Sequence, residues 1–535
     1  MAVRSSSQAL VRGRIALAAG FCAAAFVLVG LRLVDVMALR GGTGVVAETA
    51  SPASGARADL VDRHGLLLAR DLPIVDLEAK PSAFWNPAEA AHVLAAATGA
   101  DEARLLAQFA EDRKTVTVKR ALTPDEQDAV MRLGLPGLTF RPSLKRIYPG
   151  GRALAHVVGQ VDIDRDGVSG LEFGLDTRLR GDAAKPVALS VDLRVQHVLA
   201  RELGATLEKF KANAGGGIVL DVVTGEILAL VSLPDFEPNL RRLKPGDSQR
   251  NRIAQDAYEL GSVFKIFAFA QAMEEQTVRL DERIDVGHPL RVGRFSIRDS
   301  HRLGPMLTAA HVFAQSSNIG TARIALRAGA ARQRAFLSRL GLLAPVRTEL
   351  PEAREPLTPR RWKDVETATV AFGHGVSVSP LSFAAAVASV VNGGTRIVPT
   401  FLKRESPQNG ERVLSERASL AMRELLHLVV TEGTGKNAAV AGYRVGGKTG
   451  TAEKATRRGY SRKSLISSFC GVFPIDAPRY LVFVVVDEPK GTKDTYGYAT
   501  AGYTAAPLVS RVIGRIAPLL GVMRSDGPFV DASNS

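Results

Sequence analysis

The sequence predicts an α+β multidomain chain: an N-terminal transmembrane helix, an irregular α+β module, and a larger C-terminal domain in which helices cover an antiparallel sheet. Three observations predict this. Residues 15–31, IALAAGFCAAAFVLVGL, carry no charge. Residues 57–185 alternate short β-like pieces with helical stretches. From about residue 186, strand-rich runs at both ends of a long segment enclose helical runs.

The elements follow in order. Residues 1–14 hold Arg4, Arg12 and Arg14 and read as a short cytoplasmic tail, arginine before the span being the positive-inside signal. Residues 15–36 are the anchor, since Arg32 and the apolar RLVDVMAL that follows continue a helix instead of offering a cleavage site. Phe21 before Cys22 excludes a lipoprotein signal. Residues 37–56, rich in Gly, Ala, Ser and Thr, form a linker. The remainder is then extracytoplasmic on a single-pass inner-membrane anchor. In 57–185, LLLARDLPIVDLEA reads as strand and NPAEAAHVLAAATG as helix, with turn signals at YPGG (148–151) and DRDG (164–167). The domain at 186–520 opens with VDLRVQHVLARELGATLEKF, apolar at Val195, Val198, Leu199 and Leu203 with helical spacing. GGIVLDVVTGEILALVS then makes a hairpin around Thr224-Gly225, and SSFCGVFPIDAPRYLVFVVVD a second around Asp476-Ala477-Pro478. AAPLVSRVIGRIAPLL is a closing helix, and 521–535 a polar tail.

Composition narrows the function. At 535 residues, 46% hydrophobic and 23% charged, the chain buries a sizeable core and is not disordered. Its net charge of +15 is spread along the chain in scattered arginines, which argues for a basic envelope protein and against a nucleic-acid partner. Cys22 and Cys470 fall in unrelated segments, so no disulfide is expected between them. DIDRDGVSGLE (162–172) nearly spells a calcium loop, but its twelfth position is Phe173 and Glu172 misses by one. The histidines show no HExxH, and no zinc, phosphate-loop or nucleotide signature occurs, so neither metal nor cofactor is expected.

Three short motifs carry chemistry. In YELGSVFKIF, Ser262 and Lys265 lie three apart on one helical face. A serine hydroxyl needs a neighbouring base to attack an amide, and lysine serves once burial or nearby positive charge holds it neutral. Gly261 marks the start of that helix. In FAQSSNIGTARIAL, Ser316 can relay a proton and Asn318 hold a substrate carbonyl; alone, the Ser-Ser-Asn run reads as a helix N-cap. In YRVGGKTGTAEK, the glycines 446, 447 and 450 bare a strand edge for a peptide, with Lys448 and Thr451 meeting an anionic terminus. Each motif is weak singly. Together they run in one order inside one domain, 54 and then 132 residues apart (262 to 316, 316 to 448).

That set resembles the one used by penicillin-binding proteins and serine β-lactamases. The resemblance to monofunctional (class B) penicillin-binding proteins extends along almost the whole chain: RADLVDRHGLLLARDL (57–72), RIYPGGRALAHVVGQVDIDRDGVSGLEFGLD (146–176), LDVVTGEILALVSLPDFEPN (220–239) and FGHGVSVSPL (372–381). The wording around the motifs looks most like the division-specific, FtsI-type branch, with the elongation-specific branch as the alternative. A β-lactam-hydrolysing or β-lactam-sensing protein stands further off. Leu260 departs from the family, where many relatives have proline. The resemblance implies a pedestal of the dimerisation type at 57–185 and a penicillin-binding/β-lactamase-like transpeptidase domain at 186–520. It implies that Ser262 attacks the penultimate D-Ala carbonyl of a peptidoglycan stem, with Lys265 as base and Ser316 passing the proton to the leaving amine. Backbone N–H groups of Ser262 and Thr451 would hold the oxyanion, Asn318 would orient the stem, and Lys448, Thr449 and Thr451, around Gly450, would bind its carboxylate. A neighbouring stem's amine would take the acyl group, and β-lactams would acylate Ser262. A membrane-embedded glycosyltransferase and other division proteins are the partners it implies, at the septum.

Overall fold

The computed structural model describes residues 56–525 except 112, 241–245 and 457–458, and before them only helical residues 17, 20, 21 and 23–28. The expected tail 1–14, Cys22, most of the anchor 15–36, nearly all of the linker 37–56 and the last residues of the tail 521–535 lie outside the described residues. Among those described, no helix is long and apolar enough to cross a membrane.

From Arg57 onward the chain is one compact unit. Its first part is built on a long strand, β1 (Leu67–Ala79), paired antiparallel on one side with β2 (Val116–Leu122) and on the other with β3 (Leu138–Ile147). Three short helices, α1 (Pro87–Thr98), α2 (Glu102–Ala110) and α3 (Pro124–Arg132), pack there around Leu77, Leu94, Leu105, Phe109 and Val118. Their starts were written in the sequence. Asn86 caps α1 by accepting from Ala88 and Glu89 N–H ahead of Pro87, and Thr123 and Glu126 form a capping box on α3.

The two pieces that carried the resemblance in this region meet at one buried carboxylate. Glu172 accepts from Arg146 Nε at 2.7 Å and from Arg57 Nε at 3.0 Å, and all three side chains are fully buried. Glu172 is therefore an internal counter-ion, while Asp162 closes its turn by accepting from the N–H groups of Asp164 and Asp166. The expected boundary at 185/186 falls just ahead of a short strand: Val187–Ala188 pairs parallel with Leu60–Val61, so the chain enters the second part through the sheet of the first.

The second part is centred on five antiparallel strands. In chain order they are β4 (Ala214–Asp221), β5 (Ile227–Leu233), β6 (Gly446–Thr456), β7 (Gly459–Phe473) and β8 (Tyr480–Asp487), and in space β6-β7-β8-β4-β5. Both expected hairpins form. Asp221 turns the first by accepting from Val223 and Thr224 N–H, and Gly225 takes φ +75°. One face of the sheet is covered by α4 (Leu193–Lys209) and the last helix of the domain (Ala505–Leu519), through Val195, Leu199, Leu203, Val509, Val512 and Ile516. The other face carries α5 (Lys265–Glu274), α6 (Asn318–Ala328), α7 (Pro380–Val391) and α8 (Glu416–Thr431). With these given, the helix Ala505–Leu519 is α9. Cys470 is free and buried on β7.

One expectation changes here. The α-helix does not begin at Ser262: Gly261–Phe264 is a 3-10 turn and α5 starts at Lys265. Gly261 has φ +62° and lies so close to β6 that a Cβ on it would stand 2.8 Å from Thr451 O. The tighter turn lets the backbone pass under the strand edge before the helix opens out.

Candidate active site

The turn that carries Ser262 is held from both ends. Before it, Tyr258 exchanges two backbone hydrogen bonds with Val378 (3.0 and 3.1 Å) and gives its hydroxyl to Asp256 at 2.7 Å. Beyond it, α5 is buried almost throughout, and a run of rings fixes its first turn: Phe264–Phe267 at 5.1 Å, Phe267–Phe383 at 5.4 Å and Phe383–Phe483 at 4.5 Å between centroids. Deleting any of these rings would remove wide apolar contact and loosen the turn. Ser262 itself is half-buried, and its N–H belongs to the first turn, where the helix supplies no acceptor.

Lys265 and Lys448 are both fully buried, and both donate to one hydroxyl. Lys265 Nζ reaches Ser316 Oγ at 3.0 Å and Lys448 Nζ reaches it at 2.9 Å; Lys265 also donates to the Ser316 carbonyl. Ser316 sits at φ +62°, a strained conformation for a residue with a side chain, and its neighbours hold it there. Two donors fill the lone pairs of Oγ, so its own proton is left to donate outward. Burial and the charge of Lys448 drive the Lys265 ammonium well below its usual range, with Asp299 opposing; burial brings Lys448 down to about 7. Among the described residues no hydrogen bond joins Ser262 to Lys265, and the amine is turned to Ser316.

Ser317 behaves as a cap: its Oγ accepts from Gly320 N–H at 3.0 Å and donates to Asp299 at 2.7 Å. Asp299 also takes the N–H groups of Asn318 and Ile319 at the start of α6. Asn318 Nδ2 donates to Arg298 O at 3.2 Å, which fixes the amide plane at the rim of the site. Asp299 organises the whole motif, and nothing in the sequence around it announced that. Thr434, whose hydroxyl meets that of Thr449 at 2.6 Å, was missed for the same reason.

The strand β6 is an edge of the sheet, as a peptide-binding strand requires. Its glycines serve packing more than exposure. A Cβ on Gly447 would lie 2.5 Å from the Phe469 ring and one on Gly446 2.6 Å from Ile475. One on Gly450 would lie 2.5 Å from Leu260 O and 2.5 Å from Ser468 Oγ. So Gly450 lets the turn that carries Ser262 lie against the strand. Lys448 is sealed beneath the strand, on Ser316. Thr451 Oγ1 accepts from Ala501 N–H at 3.1 Å. Gly450→Ala is expected to displace Ser262 and slow its acylation by about 10²-fold, since a shift of about 1 Å at a reacting atom costs that much. Rates of adduct formation against unfolding midpoints would check that the loss exceeds the destabilisation.

The chain matches known proteins in sequence and fold. Residues 215–513 match the penicillin binding protein transpeptidase domain family and residues 52–191 the penicillin-binding protein dimerisation domain family. Over 529 residues the chain is 40% identical to a probable peptidoglycan D,D-transpeptidase FtsI of Caulobacter vibrioides, covering 96% of this chain and 89% of that one. It is 30% identical over 500 residues to the peptidoglycan D,D-transpeptidase FtsI of Escherichia coli, with coverage of 86% and 83%. Among solved structures, penicillin binding protein 3 of Mycobacterium tuberculosis complexed with aztreonam aligns with a TM-score of 0.70 at 25% identity, over 88% of this chain and 97% of that one. A peptidoglycan synthetase from Bifidobacterium adolescentis shares the fold, with a TM-score of 0.69 at 23% identity, over 88% and 96%.

Proposed function

The chain belongs to the class B penicillin-binding proteins of the FtsI type and is a peptidoglycan D,D-transpeptidase of septal wall synthesis, and from that premise we propose how its residues divide the reaction. Lys265, held neutral, takes the proton of Ser262 as Oγ attacks the penultimate D-Ala carbonyl of a stem peptide. The oxyanion is received by the N–H groups of Ser262 and Thr451. Ser316, fed by Lys265, protonates the departing D-Ala nitrogen. Lys448 keeps Ser316 aimed, and its charge helps to hold Lys265 neutral. Thr449 and Thr451 hold the terminal carboxylate, Gly450 keeps the strand close, and Asn318 binds the stem's backbone. A neighbouring stem's amine then takes the acyl group. The observation that carries this reading is the pair of fully buried amines on one hydroxyl.

Residues 57–185 serve as the pedestal and 186–520 as the transpeptidase domain in this reading, on a single-pass anchor at 15–36 that keeps both in the periplasm. Division partners, including a membrane-embedded glycosyltransferase, are part of the same proposal. Labelling the full-length chain with a fluorescent penicillin is the test. The wild type is expected to form a slowly hydrolysed adduct and Ser262→Ala none. An unlabelled wild type, or a labelled Ser262→Ala, would sink the assignment, and turnover within minutes would make the chain a hydrolase.

A further inference from the structure

Ahead of the Ser-Ser-Asn motif the chain makes a small hairpin, Leu290–Val292 paired antiparallel with Phe295–Ile297. Alternation of apolar and polar residues gives it two unlike faces. Val292 and Ile297 are buried and pack with Ile319 and Ala322 of α6 and with Ala368. Gly293, at φ +58°, turns the chain so close to its neighbour that a Cβ there would stand 3.4 Å from Val365 Cγ2. The inner face is core, and it fixes where the outer face stands.

The outer face is basic. Arg291 stands opposite Ser296, and Arg298 follows Ser296 by two residues, so the three share that face. At the tip, the Arg294 guanidinium lies 5.2 Å from the centroid of the Phe295 ring, which is 48% exposed. Arg291, Arg294 and Arg298 are all exposed, and among the described residues none of them forms an ion pair. Arginines a short way along the chain do: Arg279 pairs with Asp281, Arg323 with Asp285 and Arg327 with Glu282. The nearby acids are engaged elsewhere. Asp299 takes Ser317 Oγ and the N–H groups of Asn318 and Ile319, and Glu366 takes Lys363 N–H. Three guanidinium groups gathered on one hairpin repel one another, and an anion laid across them relieves that repulsion.

This face adjoins the site. The carbonyl of Arg298 accepts from Asn318 Nδ2 at 3.2 Å, so the hairpin continues the Asn318 side of the site and is separate from the edge of β6. A peptidoglycan strand carries stems along its length, each ending in a carboxylate, and its sugar rings have apolar faces that suit an exposed aromatic ring. We propose that the outer face and tip of this hairpin dock the peptidoglycan strand, with Arg291, Arg294 and Arg298 holding stem carboxylates other than the one seated on β6. The proposal rests on the reading of peptidoglycan as the substrate of Ser262. Several weak contacts of this kind hold neighbouring stems near Ser262 at high effective concentration, with no added contact at the reacting carbonyl.

The test uses the full-length chain in detergent, with Ser262 first blocked by penicillin so that retention owes nothing to acylation. Two probes are immobilised: uncross-linked peptidoglycan strands with intact stems, and the same strands with their carboxylates converted to methylamides. The wild type is expected to bind the native strands about tenfold more tightly than the amidated ones, with the margin fading as salt rises. The triple variant Arg291→Gln, Arg294→Gln, Arg298→Gln should lose that margin. Because Arg298 also touches Asn318 through its backbone, the double variant Arg291→Gln, Arg294→Gln must show a loss of its own. A control variant, Arg120→Gln, Arg132→Gln, Arg334→Gln, removes the same charge from other faces and should bind as the wild type does. Unfolding midpoints establish that each is folded. Equal binding of native and amidated strands, a double variant that binds like wild type, or an equal loss in the control would each overturn the proposal and leave a solvated basic face. A loss seen on poly-L-glutamate but not on the strands would overturn it in favour of an acidic protein segment. A wild type that takes no penicillin would fail the acyl-enzyme reading itself, which is a different result.

Discussion

Replacing Lys265 with methionine is expected to slow acylation of Ser262 by β-lactams about 10³-fold, which is about 4 kcal/mol of lost transition-state stabilisation. The side chain is fully buried and its ammonium is driven well below its usual range by burial and by Lys448, so methionine replaces a group already held near neutrality. The fold should therefore survive, and thermal unfolding would verify that. What is lost is the buried amine that stands three residues from Ser262 and donates to Ser316. Lys448→Met makes the companion measurement. Removing its charge takes away a repulsion that favours neutral Lys265, so the Lys265 pKa rises. A base must be neutral to act, and the ascending limb of the acylation rate should then move to higher pH. Stopped-flow acylation across pH reads both variants. An unmoved limb in Lys448→Met would show that the two amines do not share the burden in this way.

Much of this site was legible, for a physical reason. Helical and strand periodicities report which face is buried, so both hairpins, the helix over Leu193–Lys209 and the closing helix Ala505–Leu519 were found from pattern alone. Residue chemistry reports what a side chain can do, and Ser262, Lys265, Ser316 and Lys448 stood out because serine and lysine recur in a meaningful order. Pattern does not report tertiary closeness. Gly450 was read as baring a strand edge for a peptide, and a Cβ there would meet the chain's own Leu260 carbonyl. Nothing local announced that Lys448 donates to Ser316, 132 residues earlier in the chain. Ser316 has a positive φ that no local preference foretells, and Asp299 and Thr434 act from segments with no signal of their own. These are cases in which packing over-determines a conformation that the local sequence would not choose.

The second large effect lies far from the chemistry. Glu172→Ala is expected to cost about 3–5 kcal/mol of stability, because it leaves buried guanidinium groups without their central counter-ion. Arg57 and Arg146 both grip Glu172 with fully buried side chains, and each keeps one further carboxylate, Asp176 for Arg57 and Asp71 for Arg146 at 3.3 Å. Those remaining carboxylates soften the loss but cannot fill the vacated position, since Arg146 Nε and Arg57 Nε would each lose a hydrogen bond. Glu172→Gln, which keeps the shape and one acceptor, should lose less. An exposed pair is the control: Asp128→Ala breaks only a 4.0 Å contact with Arg132 on the surface of α3 and should leave the unfolding midpoint unchanged. Urea midpoints of the three variants would rank them. If Glu172→Ala matched the surface control, the network would be ornamental and the junction of Arg57, Arg146 and Glu172 would have to be held by apolar packing around Leu60, Leu68 and Leu171.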